Sequence, residues 1–186
     1  WLLMPDYATE NRLNNQRPLP GYYWSGNTRM HCMSEALRNT LEDLEEDLED
    51  ETGLKVRLPL DEKGADILLV TPSADFFAEP HVDGLMGYAK VFHQAGVSWT
   101  LSSYASEAAN FAMFIGSYDQ MAKIAERIRK AAQDLGVKRI VLGECGHAWR
   151  VAYNFWDTLV GPFDFLDPQY PIPQHICEFT YDLIQK

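Results

Sequence analysis

The hydrophobic positions divide the chain before any residue type does. From Met30 to Glu51, Leu37, Leu41, Leu44 and Leu48 recur at steps of four, three and four, with charges on the remaining faces. That period predicts an amphipathic helix, stopped by Gly53. Residues 1–29 hold no period and are rich in Pro, Gly, Asn and aromatics, which predicts an irregular N-terminal arm packed on the domain or on a neighbour. After the helix, Leu54 to Leu58 alternate as a short strand or extended connector, residues 61–66 form a polar turn, and Ile67–Val70 is an apolar run that reads as a buried strand.

From there helix-length and strand-length segments alternate. Residues 80–95 predict a helix closed by Gly96, and Val97–Leu101 a second strand. Ser117–Leu135 predicts a strong helix, with Asp119 in its first turn and Gly136 as its stop. Arg139–Leu142 is a third strand, Ala148–Leu159 a further helix, residues 161–173 an aromatic, Pro-rich loop, and a last helix starts near His175. Strands separated by helices imply right-handed crossovers and a mainly parallel sheet covered on both faces. The expected fold is α/β in three layers, with a short sheet. It divides into the arm at 1–29, the acidic helix at 30–53 and an α/β unit at 54–186.

Composition changes this picture in two respects. The chain has 186 residues, 46% hydrophobic and 23% charged, enough for one packed core. Its 27 acidic and 16 basic residues give a net charge of −11, which argues against nucleic acid as a partner, because phosphate binding rests on clustered Lys and Arg. Eight of the acids lie in residues 42–51, so the rest of the chain is nearly balanced. That acidic helix is a candidate docking face for a basic partner, although charges opposite a Leu stripe are most often a solvated face. No stretch approaches the roughly 20 apolar residues of a membrane span, and no signal peptide is evident, which predicts a cytoplasmic chain. It begins at Trp1 and stops inside a predicted helix, and so reads as a fragment.

Ligands of open parallel sheets bind beyond the carboxyl ends of the strands. Three loops qualify: residues 71–75, 102–107 and 143–149. The third is the most informative, because Cys145 and His147 sit where a strand hands over to a helix whose amides favour a thiolate. By spacing alone the bland reading is stronger, with Cys145 a buried small hydrophobe and His147 a core or capping residue. Cys32, Cys145 and Cys177 form neither a CxxC pair nor an even framework. A four-ligand metal site from Cys145, His147, His175 and Cys177 is conceivable, but nothing in the spacing demands it, and His81 at another helix start is equally uncommitted. No GxGxxG, Walker loop or GxSxG elbow occurs, so nucleotide binding and serine hydrolysis lack support.

Three segments carry a family resemblance: residues 105–128 (ASEAANFAMFIGSYDQMAKIAERI), 138–153 (KRIVLGECGHAWRVAY) and 171–179 (PIPQHICEF). Together, over about two thirds of the chain, they resemble one half of the cysteine-rich CCG module of heterodisulfide reductase catalytic subunits. In wording they are similar to the iron–sulfur subunit of the dissimilatory sulfite-reduction membrane complex (DsrK type). In that family a half-module places a cysteine after its first strand, Cys-Cys-Gly after its second and Cys-x-x-Cys after its third. Carried over, these positions are Ser73, then Ser102, Ser103 and Tyr104, then Cys145 and Ala148, so one thiolate of the pattern remains.

The resemblance therefore implies a degenerate half that holds no cluster or other metal of its own and shapes a cleft. The [4Fe-4S] clusters would belong to the rest of the parent protein. Its implied partners are the second half-module of the same parent chain, a quinol-oxidising membrane subunit and a small sulfur-carrier protein as substrate. The parent would pass electrons from a membrane quinol pool to a disulfide or trisulfide in sulfur respiration, at the cytoplasmic face of the membrane, while the fragment alone would be inactive. Cys145 would line the cleft or supply one ligand, His147 would donate a proton, and Ser102 to Glu107 would face substrate. A non-catalytic scaffolding domain, docking neighbours through the acidic helix, is the alternative from another class. A flavodoxin-like small-molecule binder is a third.

Overall fold

The computed structural model describes residues 27–71, 79–105, 108–114, 116–143 and 145–185. Helix α1 covers Asn27–Thr52, followed by β1 (Ile67–Val70), α2 (Glu79–Ala95), β2 (Trp99–Thr100), α3 (Asn110–Phe114), α4 (Tyr118–Leu135), β3 (Arg139–Leu142), α5 (Gly146–Val160), β4 (Gln174–His175) and α6 (Ile176–Ile184). The four strands are all parallel and lie in the order β2-β1-β3-β4. The fold is three-layer α/β, as the alternation of segments implies.

Two apolar clusters explain why the central strands read as unbroken hydrophobic runs. Leu68, Val70, Ile140 and Leu142 face α3, α4 and α5, whereas Ile67, Leu69, Val141 and Trp99 face α1, α2 and α6. With both faces covered, alternation has no polar side to show. The Leu stripe of α1 belongs to the second cluster: Leu37, Leu41, Leu44 and Leu48 are all buried there. The acidic helix is thus a structural layer of the sheet, and Glu45 is part of its seat, its Oε1 accepting the Leu58 backbone N–H at 2.5 Å.

The ends of α4 match their sequence signals. Ser117 accepts the Gln120 N–H at the start, and Gly136 closes the helix at φ 68°, in the left-handed region that a side chain disfavours. Residues 54–58 are the extended connector, one of the two forms expected of them, and a single parallel bridge, Leu60 to Leu101, follows. Two local expectations differ from the structure: the second strand is two residues long rather than five, and the Pro-rich loop ends in an unforeseen strand, β4. These short pieces are held by pairing with a neighbour rather than by their own periodicity. Similarly, α1 starts at Asn27, within the span expected to be irregular, and α5 starts at Gly146, two residues before its expected onset.

Candidate functional site

The carboxyl ends of the strands form one edge of the sheet, and β1 is its topological switch strand. The chain leaves β1 to pair β2 on one side, then returns across it to β3 on the other. Crevices in doubly wound sheets open at that point, between the loops after β1 and β3. Gly143 is buried there, its N–H donating to the Val70 carbonyl at 3.0 Å, and it carries the ladder one step past the strands. Thr71 beside it is 1% exposed, and its Oγ1 has no hydrogen-bond partner among the described residues. Ser73 lies outside the described residues, as does Glu107.

The loop after β3 is built around Cys145. This residue is the N-cap of α5 in extended conformation (φ −71°, ψ 103°), and its Sγ accepts the Ala148 N–H at 3.4 Å. Cys145 is half-buried and Ala148 buried. The sulfur therefore sits at the N-terminal, positive end of a 15-residue helix. His147, the second residue of the helix, is exposed, with its ring edge-on to Phe114 of α3 at 5.1 Å. It is a surface residue on an aromatic neighbour rather than a core histidine.

Serine is a stronger N-cap than cysteine, because its hydroxyl oxygen accepts amide hydrogen bonds better than sulfur does. Cys145→Ser should therefore leave the fold intact and keep the thermal midpoint unchanged or raise it, by up to about 1 kcal/mol of stability. Thermal unfolding of the two forms checks this. A marked loss of stability would mean that the sulfur is needed for packing rather than for chemistry.

The loop after β2 is held differently. Ser102 is buried, and its Oγ accepts the Tyr104 N–H at 3.1 Å. The Ser103 N–H donates to Asp61 Oδ1 at 2.9 Å, and Tyr104 is exposed. Asp61 itself sits at φ 56°, a conformation that Asp tolerates, and so ties the 59–62 segment to this loop. Strand β1 lies between β2 and β3, so the Ser102–Tyr104 and Cys145 loops stand two strand spacings apart, about 10 Å laterally. Both belong to one sheet edge, yet they do not form a single cluster of side chains.

At β4 the structure gathers residues that the spacing left uncommitted. His175 caps α6: its Nδ1 accepts the Cys177 N–H at 3.2 Å, and its own N–H donates to Glu178 Oε2 at 2.9 Å. Trp149 bridges the starts of α5 and α6, stacked on Tyr153 at 5.1 Å and edge-on to His175 at 6.2 Å. Sequence reasoning placed Trp149 at the end of the candidate loop 143–149 without giving it a role, and left Phe114 out of the site; the faint signal for Phe114 was an aromatic two residues before Gly116. His175 and Cys177 serve a helix cap. Among the described residues no three His, Cys, Asp or Glu side chains come together to hold a metal, so Cys145, His147, His175 and Cys177 do not assemble into the four-ligand site.

The donor set also bears on an iron–sulfur cluster, which needs several thiolates. Where a Cys-x-x-Cys step would place its second sulfur stands the buried methyl of Ala148, and after β2 stand the hydroxyls of Ser102, Ser103 and Tyr104. These residues do not fit a cluster.

Comparison with known proteins gives a partial likeness. The chain is 43% identical over 118 residues to the Hdr-like menaquinol oxidoreductase iron–sulfur subunit 2 of Archaeoglobus fulgidus, covering 61% of this chain and 21% of that protein. It is 42% identical over 120 residues to the Hdr-like menaquinol oxidoreductase iron–sulfur subunit of Archaeoglobus profundus, covering 62% and 21%. A stretch of 42 residues is 45% identical to the (6-4) photolyase of Agrobacterium fabrum, 23% of this chain and 8% of that protein. The matched part thus spans about a fifth of the length of the two archaeal relatives. No protein-family model matches the chain, and no solved structure does. Among the described residues no helix is long and apolar enough to cross a membrane.

Proposed function

We propose that this chain is part of an iron–sulfur oxidoreductase subunit of the heterodisulfide reductase-like kind, within a complex that draws electrons from menaquinol. The observation that carries the reading is the 43% identity over 118 residues to an archaeal subunit of that name. In the finer form of the proposal, the parent is of the DsrK type and acts at the cytoplasmic face of the membrane. Its final acceptor is a disulfide or trisulfide on a small sulfur-carrier protein, and its [4Fe-4S] clusters are held outside this chain. The chain is then a degenerate CCG half-module whose loops line the cleft, with Cys145 the thiol nearest the chemistry and His147 an exposed proton donor beside it. The poor fit of Ala148, Ser102, Ser103 and Tyr104 to a cluster supports the degenerate assignment.

Iron and acid-labile sulfide measured after anaerobic purification test that assignment directly. The expected content is far below one cluster per chain. About four irons and four sulfides per chain would overturn it.

A second reading, a scaffolding domain that docks neighbouring subunits through α1, is favoured by one observation. Glu42, Asp43, Glu46, Asp47 and Asp50 are exposed and make no ion pair among the described residues, while Glu51 and Glu49 pair with Lys90 and Lys55. In the full-length parent, Cys145→Ser should impair reduction of the sulfur substrate if the first reading holds. If it leaves reduction intact, while charge reversal at Glu46, Asp47 and Asp50 abolishes complex assembly, the scaffold reading replaces it. Glu45 is unsuitable for that reversal because it holds the Leu58 amide.

A further inference from the structure

The open edge of the sheet beyond β4 carries a groove of about 630 Å³ between α5, α6 and residues 169–174. One wall is the stacked pair Trp149 and Tyr153, whose planes lie within 24° of each other. Tyr181 and Ile172 are also in its lining, 62% and 39% exposed, and Tyr153 is 53% exposed. Large apolar side chains left in water together, around a concave surface, mark a place where something binds. The charge in this lining has one sign. Glu178 and Asp182 contribute carboxylates, and among the described residues no Lys, Arg or His lines the groove.

We infer that this groove receives an arginine-bearing apolar peptide segment of a partner protein. A guanidinium is the group that satisfies both features of the lining, because it stacks flat on aromatic rings and offers several N–H donors to carboxylates. The protein already uses the first of these contacts, the stacking, on the sheet side of the groove. Arg139 lies over the Tyr170 ring at 3.4 Å and hydrogen-bonds Gln174, whose Nε2 donates to Asp182 Oδ2 at 3.2 Å. Arg139 stands behind the wall and is not part of the lining, so the open side keeps its two carboxylates without a cation among them. The shape favours a peptide over a small ligand, since small-molecule sites enclose most of their ligand and this groove is open along its length. The backbone beside it belongs to β4, which pairs on one side only among the described residues. The proposal is independent of the electron-transfer reading.

The test is a titration of the full chain, followed by tryptophan fluorescence and calorimetry, with two blocked pentapeptides. One has a central arginine between leucines, and the other has citrulline, its neutral isostere, in that place. The arginine peptide is expected to saturate and to bind about tenfold more tightly than the citrulline peptide. The double variant Glu178→Gln with Asp182→Asn should bring the two affinities together. Each amide side chain keeps a carbonyl oxygen to accept the hydrogen bond that the carboxylate accepts, from the His175 N–H in one case and from Gln174 in the other, so the fold is preserved. Tyr153→Ala should weaken both peptides. Equal affinity for the two peptides in the unmodified chain would overturn the inference, as would no saturable binding. So would a charge preference that survives the double variant and disappears on charge reversal at Glu46 and Asp47, or self-association of the chain that the peptide does not displace.

Discussion

Trp156→Ala is expected to lower stability by about 3–5 kcal/mol, enough to bring the thermal midpoint down by roughly 10 °C or more. Trp156 is fully buried in α5 and stacks on Phe163 at 5.6 Å, with 27° between the rings. Truncation removes the largest side chain of the α4–α5 cluster and leaves a void that the neighbouring ring cannot fill. Its indole Nε1 is buried without a hydrogen-bond partner among the described residues, so the site gains from the tryptophan's bulk and not from its polarity. Trp156→Phe should accordingly cost less than about 1.5 kcal/mol, because it keeps the stack and removes the orphaned donor. Chemical denaturation of both variants separates the two contributions. If phenylalanine proves as damaging as alanine, stacking on Phe163 is not what the residue supplies.

Leu48→Ala comes next, with a loss of about 3 kcal/mol. Leu48 is fully buried, in one cluster with Leu69, Leu85 and Phe92. The unfolding curve of this variant distinguishes an acidic helix that unfolds with the sheet from one that unfolds apart from it. A layer of the core loses stability globally, and the whole unfolding transition moves. An appendage would lose helical signal alone, leaving the main transition in place, and that result would refute the description of α1 as a layer. Glu46→Lys on the opposite face serves as the control, since an exposed substitution there should stay within about 0.5 kcal/mol.

The parts of this fold that were legible in the sequence are those whose signal is local. The Leu37–Leu48 stripe, the Ser117 and Gly136 stops of α4, and the runs Ile67–Val70 and Arg139–Leu142 all announce their own structure. What was illegible depends on neighbours far along the chain. Gln174 and His175 become strand because Val141 and Leu142 offer them an edge, and the expected second strand is cut back to Trp99 and Thr100, the residues that pair with Ile67 and Leu68. The site divides in the same way. The strand-to-helix step puts Cys145 at a helix start and can be read locally, whereas the contact of Phe114 with His147 and the approach of Trp149 to His175 need the third dimension. The acidic run showed where the charge lies but not that Glu45 would be drawn into the fold to hold Leu58.

The pairing of β1 with β3 also governs how the chain reaches its native state. Ile67 waits for Arg139, 72 residues later in the sequence. At about 5–20 residues per second, ribosomal synthesis leaves Ile67–Val70 without its central partner for roughly 4–14 s. Such non-local parallel pairing is intrinsically slow, and an unpaired apolar strand is open to wrong partners meanwhile. The first element able to shield it is α1, which precedes it in synthesis and packs on the same face as Ile67 and Leu69. The outer face of that helix carries exposed carboxylates, so its cover over the strand offers charge, rather than a second apolar surface, to any wrong partner until β3 arrives.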